Sequence, residues 1–242
     1  MRIVMLLIAI LLAASGTAAD APCSASAFEG SRFEACRFDA RSEELRLVLN
    51  GPDGVPLRGF QALSASLGRE RSKVLFAMNA GMFGTLGSPI GLYVENGATR
   101  HDINRAPGDG NFYMQPNGVF SFGAGGMRLD TTAEYSPAGK PLWATQSGPM
   151  LLIGGNLTPP ISEDGPSHYI RNAVCVLTPK DAVFVISNDA VSFGKLARFM
   201  RDALKCRDAL YLDGAVSSAW IPSLKRMDDH APLGPMVVVL GL

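Results

Sequence analysis

Short runs of apolar and polar residues predict several strands along the chain. Leu45, Leu47 and Leu49 alternate with charged or branched residues, which is typical of a half-buried strand. Residues 74–78 form a continuous apolar run that predicts a buried strand, and residues 237–240 predict a final one. The last strand therefore lies at the carboxyl end of the chain.

Two helices and several hairpins interrupt these strands. Phe60, Leu63 and Leu67 have helical spacing, and Ser192 can cap a second amphipathic helix. Asn96-Gly97 is the strongest hairpin signal in the chain. This mixture predicts an α+β fold: a single domain with a twisted mixed β-sheet, several hairpins and a few packed helices.

The first residues have the layout of a secretory signal peptide. Arg2 is followed by an apolar run over residues 3–14 and then by small residues up to Ala19. The run is shorter than the roughly 17–25 residues that a membrane-spanning helix needs. We therefore predict a signal peptide over residues 1–19 and one domain over residues 20–242, with an uncleaved N-terminal anchor as the alternative. The mature protein is expected to be periplasmic or secreted, without stable membrane insertion.

Cysteine usage agrees with export. The chain has 4 cysteines, and disulfides are common in exported proteins. Proximity along the chain favours a Cys23–Cys36 bridge with Cys175–Cys206 as the second pair. Cys175 lies in an apolar run, so a buried free thiol is the alternative for that pair.

Charge excludes one class of partner. The chain has 22 basic and 22 acidic residues, and removal of Arg2 with the signal peptide leaves 21 against 22. No basic field remains that would attract nucleic acid, so none is expected as a partner. The sequence carries no signal for a particular oligomeric state.

Polar residues that could carry chemistry cluster where predicted strands end. Each cluster alone is typical of a turn or bend, but strand ends are also where scaffolds place functional groups. The four segments are Asn79-Ala80-Gly81-Met82-Phe83, Gln146-Ser147-Gly148-Pro149, Arg171-Asn172 and Asp213-Gly214-Ala215-Val216-Ser217-Ser218.

As an ordered set these segments resemble the phosphodiester glycosidase family. That family contains the N-acetylglucosamine-1-phosphodiester α-N-acetylglucosaminidase-like domain and a bacterial exported branch, and this chain is most similar to the bacterial branch. The resemblance is strongest over residues 74–220. Two motifs depart from the family pattern: Ala215-Val216 replace two glycines of an Asp-Gly-Gly-Gly-Ser run, and Asn172 replaces a threonine.

The resemblance implies an exported hydrolase that cleaves a sugar-1-phosphodiester at the bond between the anomeric carbon and the phosphate oxygen. Arg171 would hold the phosphate, and Asp213 would act as base or stabilise the oxocarbenium-like transition state. The remaining candidates would bind or orient the small-molecule or glycan substrate: Asn79, Gly81, Ser147, Asn172, Asp189, Gly214, Ser217 and Ser218. Asp189 has a turn at a helix entry as its alternative role.

No cofactor or metal is expected. His101, His168 and His230 are scattered without zinc-ligand spacing, and Asp109 is the only acid in its glycine-rich loop. Two other classes of function remain open. A non-catalytic binder of phosphorylated glycans would explain the lost glycines, and an envelope structural protein would show a large apolar patch.

Overall fold

Strands make up most of the regular structure in the computed structural model, which describes residues 21–242 except for the side chain of residue 138. The predicted signal peptide over residues 1–19 lies outside the described residues. In chain order the strands are β1 (Cys23–Phe28), β2 (Ser31–Asp39), β3 (Glu43–Val48), β4 (Val74–Asn79), β5 (Tyr93–Glu95), β6 (Ala98–His101), β7 (Gly118–Gly123), β8 (Gly126–Thr131), β9 (Trp143–Ser147), β10 (Met150–Ile153), β11 (Asn156–Leu157), β12 (Asn172–Thr178), β13 (Asp181–Ser187), β14 (Ala209–Tyr211), β15 (Ala219–Ile221), β16 (Arg226–Met227) and β17 (Met236–Gly241).

The strands are divided among three sheets. Their orders are β1-β2-β13-β12-β14-β10-β11, β16-β15-β4-β17-β3 and β6-β5-β9-β7-β8, and every strand pair recorded within residues 21–242 is antiparallel. The predicted α+β class is confirmed, but the expected single mixed sheet is corrected to three antiparallel ones. Tight turns such as Asn96-Gly97 between β5 and β6 impose antiparallel pairing, because parallel neighbours need long crossover connections.

Two α-helices complete the fold, and both begin where the sequence predicts. Helix α1 (Phe60–Leu67) ends at Gly68, whose φ of 55° favours glycine. Helix α2 (Phe193–Arg198) begins after Ser192, whose side chain accepts a hydrogen bond from the backbone N–H of Lys195. A π-helical turn, Phe199–Ala203, continues it. Along residues 21–242 no helix is long and apolar enough to cross a membrane.

One shared core joins the three sheets. Phe184 of the first sheet lies 5.6 Å from Phe76 of the second and 5.7 Å from Phe120 of the third, measured between ring centroids. All three rings are buried. Because the sheets bury their faces against the same side chains, their strand ends are held in fixed positions relative to one another.

Two disulfides fix elements of the first sheet. Cys23–Cys36 links directly opposed residues of β1 and β2, as predicted. Cys175–Cys206 links β12 to the segment before β14, which decides the open alternative in favour of a bridge over a free thiol. Disulfides of this kind are typical of proteins that fold in an oxidising compartment.

Candidate active site

All four predicted polar segments meet at the junction of the three sheets. Asn79 ends β4 in the second sheet, and Ser147 ends β9 in the third. Asn172 begins β12 and Asp213 follows β14 in the first sheet. Ser218 directly precedes β15 of the second sheet. Residues far apart in sequence therefore share one cluster.

Two buried asparagines hold this cluster together. The side chain of Asn79 donates a hydrogen bond of 2.6 Å to the backbone carbonyl of Asp213. Its side-chain oxygen accepts from the backbone N–H of Ser218 at 2.8 Å and from Asn172 Nδ2 at 3.0 Å. Asn172 Nδ2 also lies 2.8 Å from the backbone carbonyl of Asn79. These amides use their polar atoms to cross-link three strand ends.

The backbone around Asp213 is fixed from several directions. Asn172 Oδ1 accepts from the backbone N–H of Asp213 at 3.2 Å, and Ser217 Oγ lies 3.1 Å from the Asp213 carbonyl. The Ser147 hydroxyl donates to the carbonyl of Leu212. Ser218 Oγ donates to a carbonyl of its own loop at 2.7 Å. Asn79, Asn172, Ser147 and Ser217 therefore fix the backbone at or directly before Asp213, and Ser218 fixes the loop that follows it.

The Asp213 carboxyl is nearly buried and has no cationic partner. Asp213 is 7% exposed. Its Oδ1 atom accepts a hydrogen bond of 3.3 Å from the backbone N–H of Ala215. Burial raises the pKa of Asp213 to about 6, against an ordinary value of 3.8. No salt bridge to Asp213 occurs in the described part of the chain. A carboxyl that ionises near neutral pH can accept or release a proton there.

Arg171 is a fully buried cation surrounded by neutral groups. Nε donates to the carbonyl of Val191 at 2.8 Å, and Nη1 donates to the hydroxyl of Tyr211 at 3.0 Å. Nη2 donates to the carbonyl and the hydroxyl of Ser167 at 2.9 and 3.0 Å. The guanidinium lies 3.7 Å from the ring centroid of Phe193.

This burial changes the role that the sequence suggested for Arg171. Desolvation lowers the pKa of Arg171, and its ring contacts and hydrogen bonds supply no negative charge. Its guanidinium is fully buried, with most of its N–H groups already used, so it does not lie free to grip a phosphate. Two of its hydrogen-bond partners, Tyr211 and Ser167, line a cavity, so the charge of Arg171 can act there only through them.

A small cavity lies against these neighbours. Its volume is about 300 Å³, and it is lined by Asn111, Ser167, Tyr169, Tyr211, Gly214 and Ala215. The Tyr169 ring lies 5.5 Å from the Arg171 guanidinium, yet the residue is 58% exposed. A larger cavity of about 600 Å³ lies elsewhere, next to Asn50 and Arg100. We assign the candidate site to the smaller cavity, because it is lined by the two residues that directly follow Asp213 and by residues that contact Arg171.

Gly214 has no room for a side chain, because the hydroxyl of Tyr211 lies directly against it. A Cβ atom at this position would overlap the hydroxyl of Tyr211, so a side chain there would displace the partner of Arg171. Ala215 and Val216, which replace family glycines, both have negative φ. The backbone there needs no glycine, and the departure from the family pattern introduces no left-handed strain.

Two predicted binding residues have their polar groups occupied. The backbone N–H of Gly81 donates to Thr145 Oγ1 at 3.1 Å. The carboxylate of Asp189 accepts from the backbone and the guanidinium of Arg32, with an Nη2–Oδ1 distance of 2.7 Å. Hydrogen bonds to Arg32 lower the pKa of Asp189 to about 2. The structure therefore places Asp189, which lies just after β13, in an ion pair with Arg32 of β2, outside the cluster.

The cavity also contains residues that the sequence reasoning did not select. Tyr211 lies two residues before Asp213, so strand alternation could have placed both on one face. Ser167 and Tyr169 also line the cavity, and they lie in a segment without strand or helix periodicity. Their position directly before Arg171 was the available signal. Within residues 21–242 no group of three or more His, Cys, Asp or Glu side chains is arranged to hold a metal ion.

A buried carboxyl of raised pKa, directly followed by residues that line a cavity, is the kind of site that enzymes use for acid–base chemistry. The chain belongs to the phosphodiester glycosidase family, because residues 72–240 match the model of that family. This finding confirms the resemblance seen in the sequence.

Individual proteins are similar to this chain in sequence or in fold. The uncharacterised Escherichia coli protein YigE is 33% identical over 184 residues, which cover 75% of this chain and 71% of YigE. The catalytic domain of zebrafish N-acetylglucosamine-1-phosphodiester alpha-N-acetylglucosaminidase, auto-inhibited by its pro-peptide, has the same fold, with a TM-score of 0.62, 13% identity and coverage of 91% of this chain and 81% of that one. A predicted exported protein of Burkholderia pseudomallei gives a TM-score of 0.55, 12% identity and coverage of 87% and 74%.

Proposed function

We propose that this protein hydrolyses a sugar-1-phosphodiester at the bond between the anomeric carbon and the phosphate oxygen. The observation that carries the proposal is the Asp213 carboxyl, whose pKa is raised to about 6 by burial and whose chain neighbours Gly214 and Ala215 line a cavity together with Tyr211 and Ser167, the partners of Arg171. Family membership and the fold shared with the zebrafish enzyme support the same reaction class.

Asp213 acts as the base for the attacking water. Ionised Asp213 takes a proton from water, whose oxygen forms a bond to the anomeric carbon. The carbon–oxygen bond to phosphate breaks, and the phosphate monoester leaves with the electron pair. A phosphate monoester is a stable anion, so no second carboxylic acid is needed to protonate it.

Arg171 stabilises the departing phosphate without touching it. Negative charge on the leaving group grows as the bond breaks, and a buried cation acts strongly through a medium of low dielectric constant. Tyr211 and Ser167 lie between the guanidinium and the cavity. The positive charge of Arg171 therefore acts on a phosphate in the cavity across these two side chains.

A non-catalytic binder of phosphorylated glycans is the competing function. Its support was the loss of glycines at Ala215-Val216, and that support is weakened because neither residue has a positive φ. A binder would also gain nothing from a carboxyl that titrates near neutral pH. Saturable binding without turnover would favour this alternative.

Export is part of the proposal. The disulfides Cys23–Cys36 and Cys175–Cys206 support folding in the periplasm or outside the cell, and a structurally similar Burkholderia protein is a predicted exported protein. We expect cleavage after Ala19. The mass of the mature protein from the producing cell tests this, and an intact N-terminus would contradict it.

Turnover of a small substrate panel tests the enzyme. The panel contains UDP-N-acetylglucosamine, other sugar-1-phosphodiesters and a p-nitrophenyl α-glycoside without phosphate. The mature protein should release sugar from phosphodiesters, and Asp213→Asn should reduce kcat/KM at least about a hundredfold, because a positioned base is lost. Asp102→Asn, an exposed acid outside the cluster, is the matched control and should retain activity. Equal activity of Asp213→Asn and the control would refute the role of Asp213.

A further inference from the structure

Two hydroxyl groups share the same buried guanidinium. Arg171 donates to the Tyr211 hydroxyl at 3.0 Å and to the Ser167 hydroxyl at 3.0 Å, through different nitrogens. A hydroxyl that accepts a hydrogen bond still has its own proton to donate. No acceptor for either proton is recorded among the described residues, and both residues line the cavity of about 300 Å³.

The charge of Arg171 makes these protons better donors. A hydroxyl that accepts from a cation is polarised, so its own hydrogen bond to an anion is strengthened. Tyr211 and Ser167 therefore present the positive charge of Arg171 to the cavity, although the guanidinium itself is fully buried.

Burial of Arg171 without an ion pair among the described residues is energetically unfavourable for the folded protein. A buried cation without an ion pair destabilises the folded state, and a bound anion beside it would offset that penalty. Gly214 keeps the position open, because a Cβ there would overlap the Tyr211 hydroxyl. A mere packing role for Tyr211 would not require a hydroxyl against both Arg171 and Gly214.

We propose that the hydroxyls of Tyr211 and Ser167 form an anion cradle, which binds the oxygens of the substrate phosphate directly, and that Arg171 is its positioning residue. This inference rests on the proposed function for the identity of the substrate. It assigns direct phosphate contact to two residues that the sequence did not indicate, and Arg171 then acts on the phosphate through them.

Equilibrium binding tests the cradle independently of turnover. Inorganic phosphate and dimethyl phosphate carry the anionic group without a sugar, and N-acetylglucosamine is the neutral probe. Tyr211→Phe and Ser167→Ala should each raise the Kd for the two phosphates about tenfold, as expected for loss of a hydrogen bond to a charged group. The Kd for N-acetylglucosamine should change less than about twofold in each variant, which a general loss of structure would not produce.

Matched controls remove the same groups elsewhere. Tyr135→Phe and Ser24→Ala delete a phenol and a serine hydroxyl outside the cavity, and both should bind phosphate like the wild type. If Tyr211→Phe fails to fold by circular dichroism, Ser167→Ala carries the test alone. Unchanged phosphate affinity in folded variants overturns the cradle, as does an equal loss for the phosphates and N-acetylglucosamine.

The cradle and the proposed function can fail separately. If phosphate binding depends on these hydroxyls but no sugar-1-phosphodiester is hydrolysed, the cradle is supported and the glycosidase function is refuted. Hydrolysis by a protein whose phosphate affinity does not depend on Tyr211 or Ser167 would do the reverse.

Discussion

Two buried residues of opposite charge, each without an ion pair among the described residues, dominate the chemistry of this site. Asp213 is held by neutral amides and serines, and Arg171 by carbonyls, hydroxyls and a ring. Each unpaired buried charge lowers the stability of the folded state, because its loss of hydration is not offset by an ion pair. Such costs are common at functional sites, where stability is reduced in exchange for reactivity.

The raised pKa of Asp213 predicts a specific dependence of stability on pH. Its folded value of about 6 exceeds its ordinary value of 3.8, so the folded state binds the proton more tightly. Stability should therefore fall as the pH rises from about 4 to about 6 and stay lower above that, by roughly 3 kcal/mol for a shift of about two units.

Asp213→Asn should remove this loss because it cannot ionise. The variant should unfold at a higher temperature than the wild type at pH 7.5, and the two should be similar at pH 4. Thermal unfolding followed by circular dichroism at both values measures the difference. A difference that is the same at pH 4 and pH 7.5 would show that burial does not shift the Asp213 pKa.

At the scale of elements, the site depends on how strand ends are anchored. Asn172 opens β12, and the same strand carries Cys175, whose disulfide to Cys206 ties it to the segment before β14. Asp213 follows β14, so this bridge ties the strand that begins with Asn172 to the segment that leads into β14 and Asp213. Cys23–Cys36 joins β1 and β2 at the far edge of that sheet.

The two bridges should differ in their contribution to stability. Cys175–Cys206 spans 31 residues and Cys23–Cys36 spans 13, so the first closes a larger loop in the unfolded chain. We expect Cys175→Ala/Cys206→Ala to lose about 0.8 kcal/mol more than Cys23→Ala/Cys36→Ala, from losses of about 3–4 kcal/mol each. Urea unfolding of both double variants measures this. A larger loss for the Cys23–Cys36 pair would contradict the loop-length argument.

At the scale of the whole molecule, local patterns predicted elements better than their arrangement. Ser192 and Gly68 marked helix ends correctly because capping is decided by neighbouring residues. The division into three sheets was missed, because pairs such as β3 with β17 join opposite ends of the chain. No local pattern records which distant strand a strand will pair with.

The candidate site was predictable in part for the same reason. The strand-end segments around Asn79 and Asp213 were found, and the structure brings them together. The depth of Arg171 was not predictable, since the sequence identifies a cation but not what surrounds it. Ser167 was missed because it lies in an irregular polar segment without periodicity, and only the fold brings its hydroxyl to Arg171.

The bond that is broken provides the most direct test of the central claim. Hydrolysis of an active sugar-1-phosphodiester in water labelled with heavy oxygen shows by mass spectrometry which product takes up the label. Attack on the anomeric carbon, with Asp213 as base, predicts label in the released sugar and none in the phosphate monoester. Label in the phosphate product would show attack at phosphorus and would contradict a glycosidase mechanism.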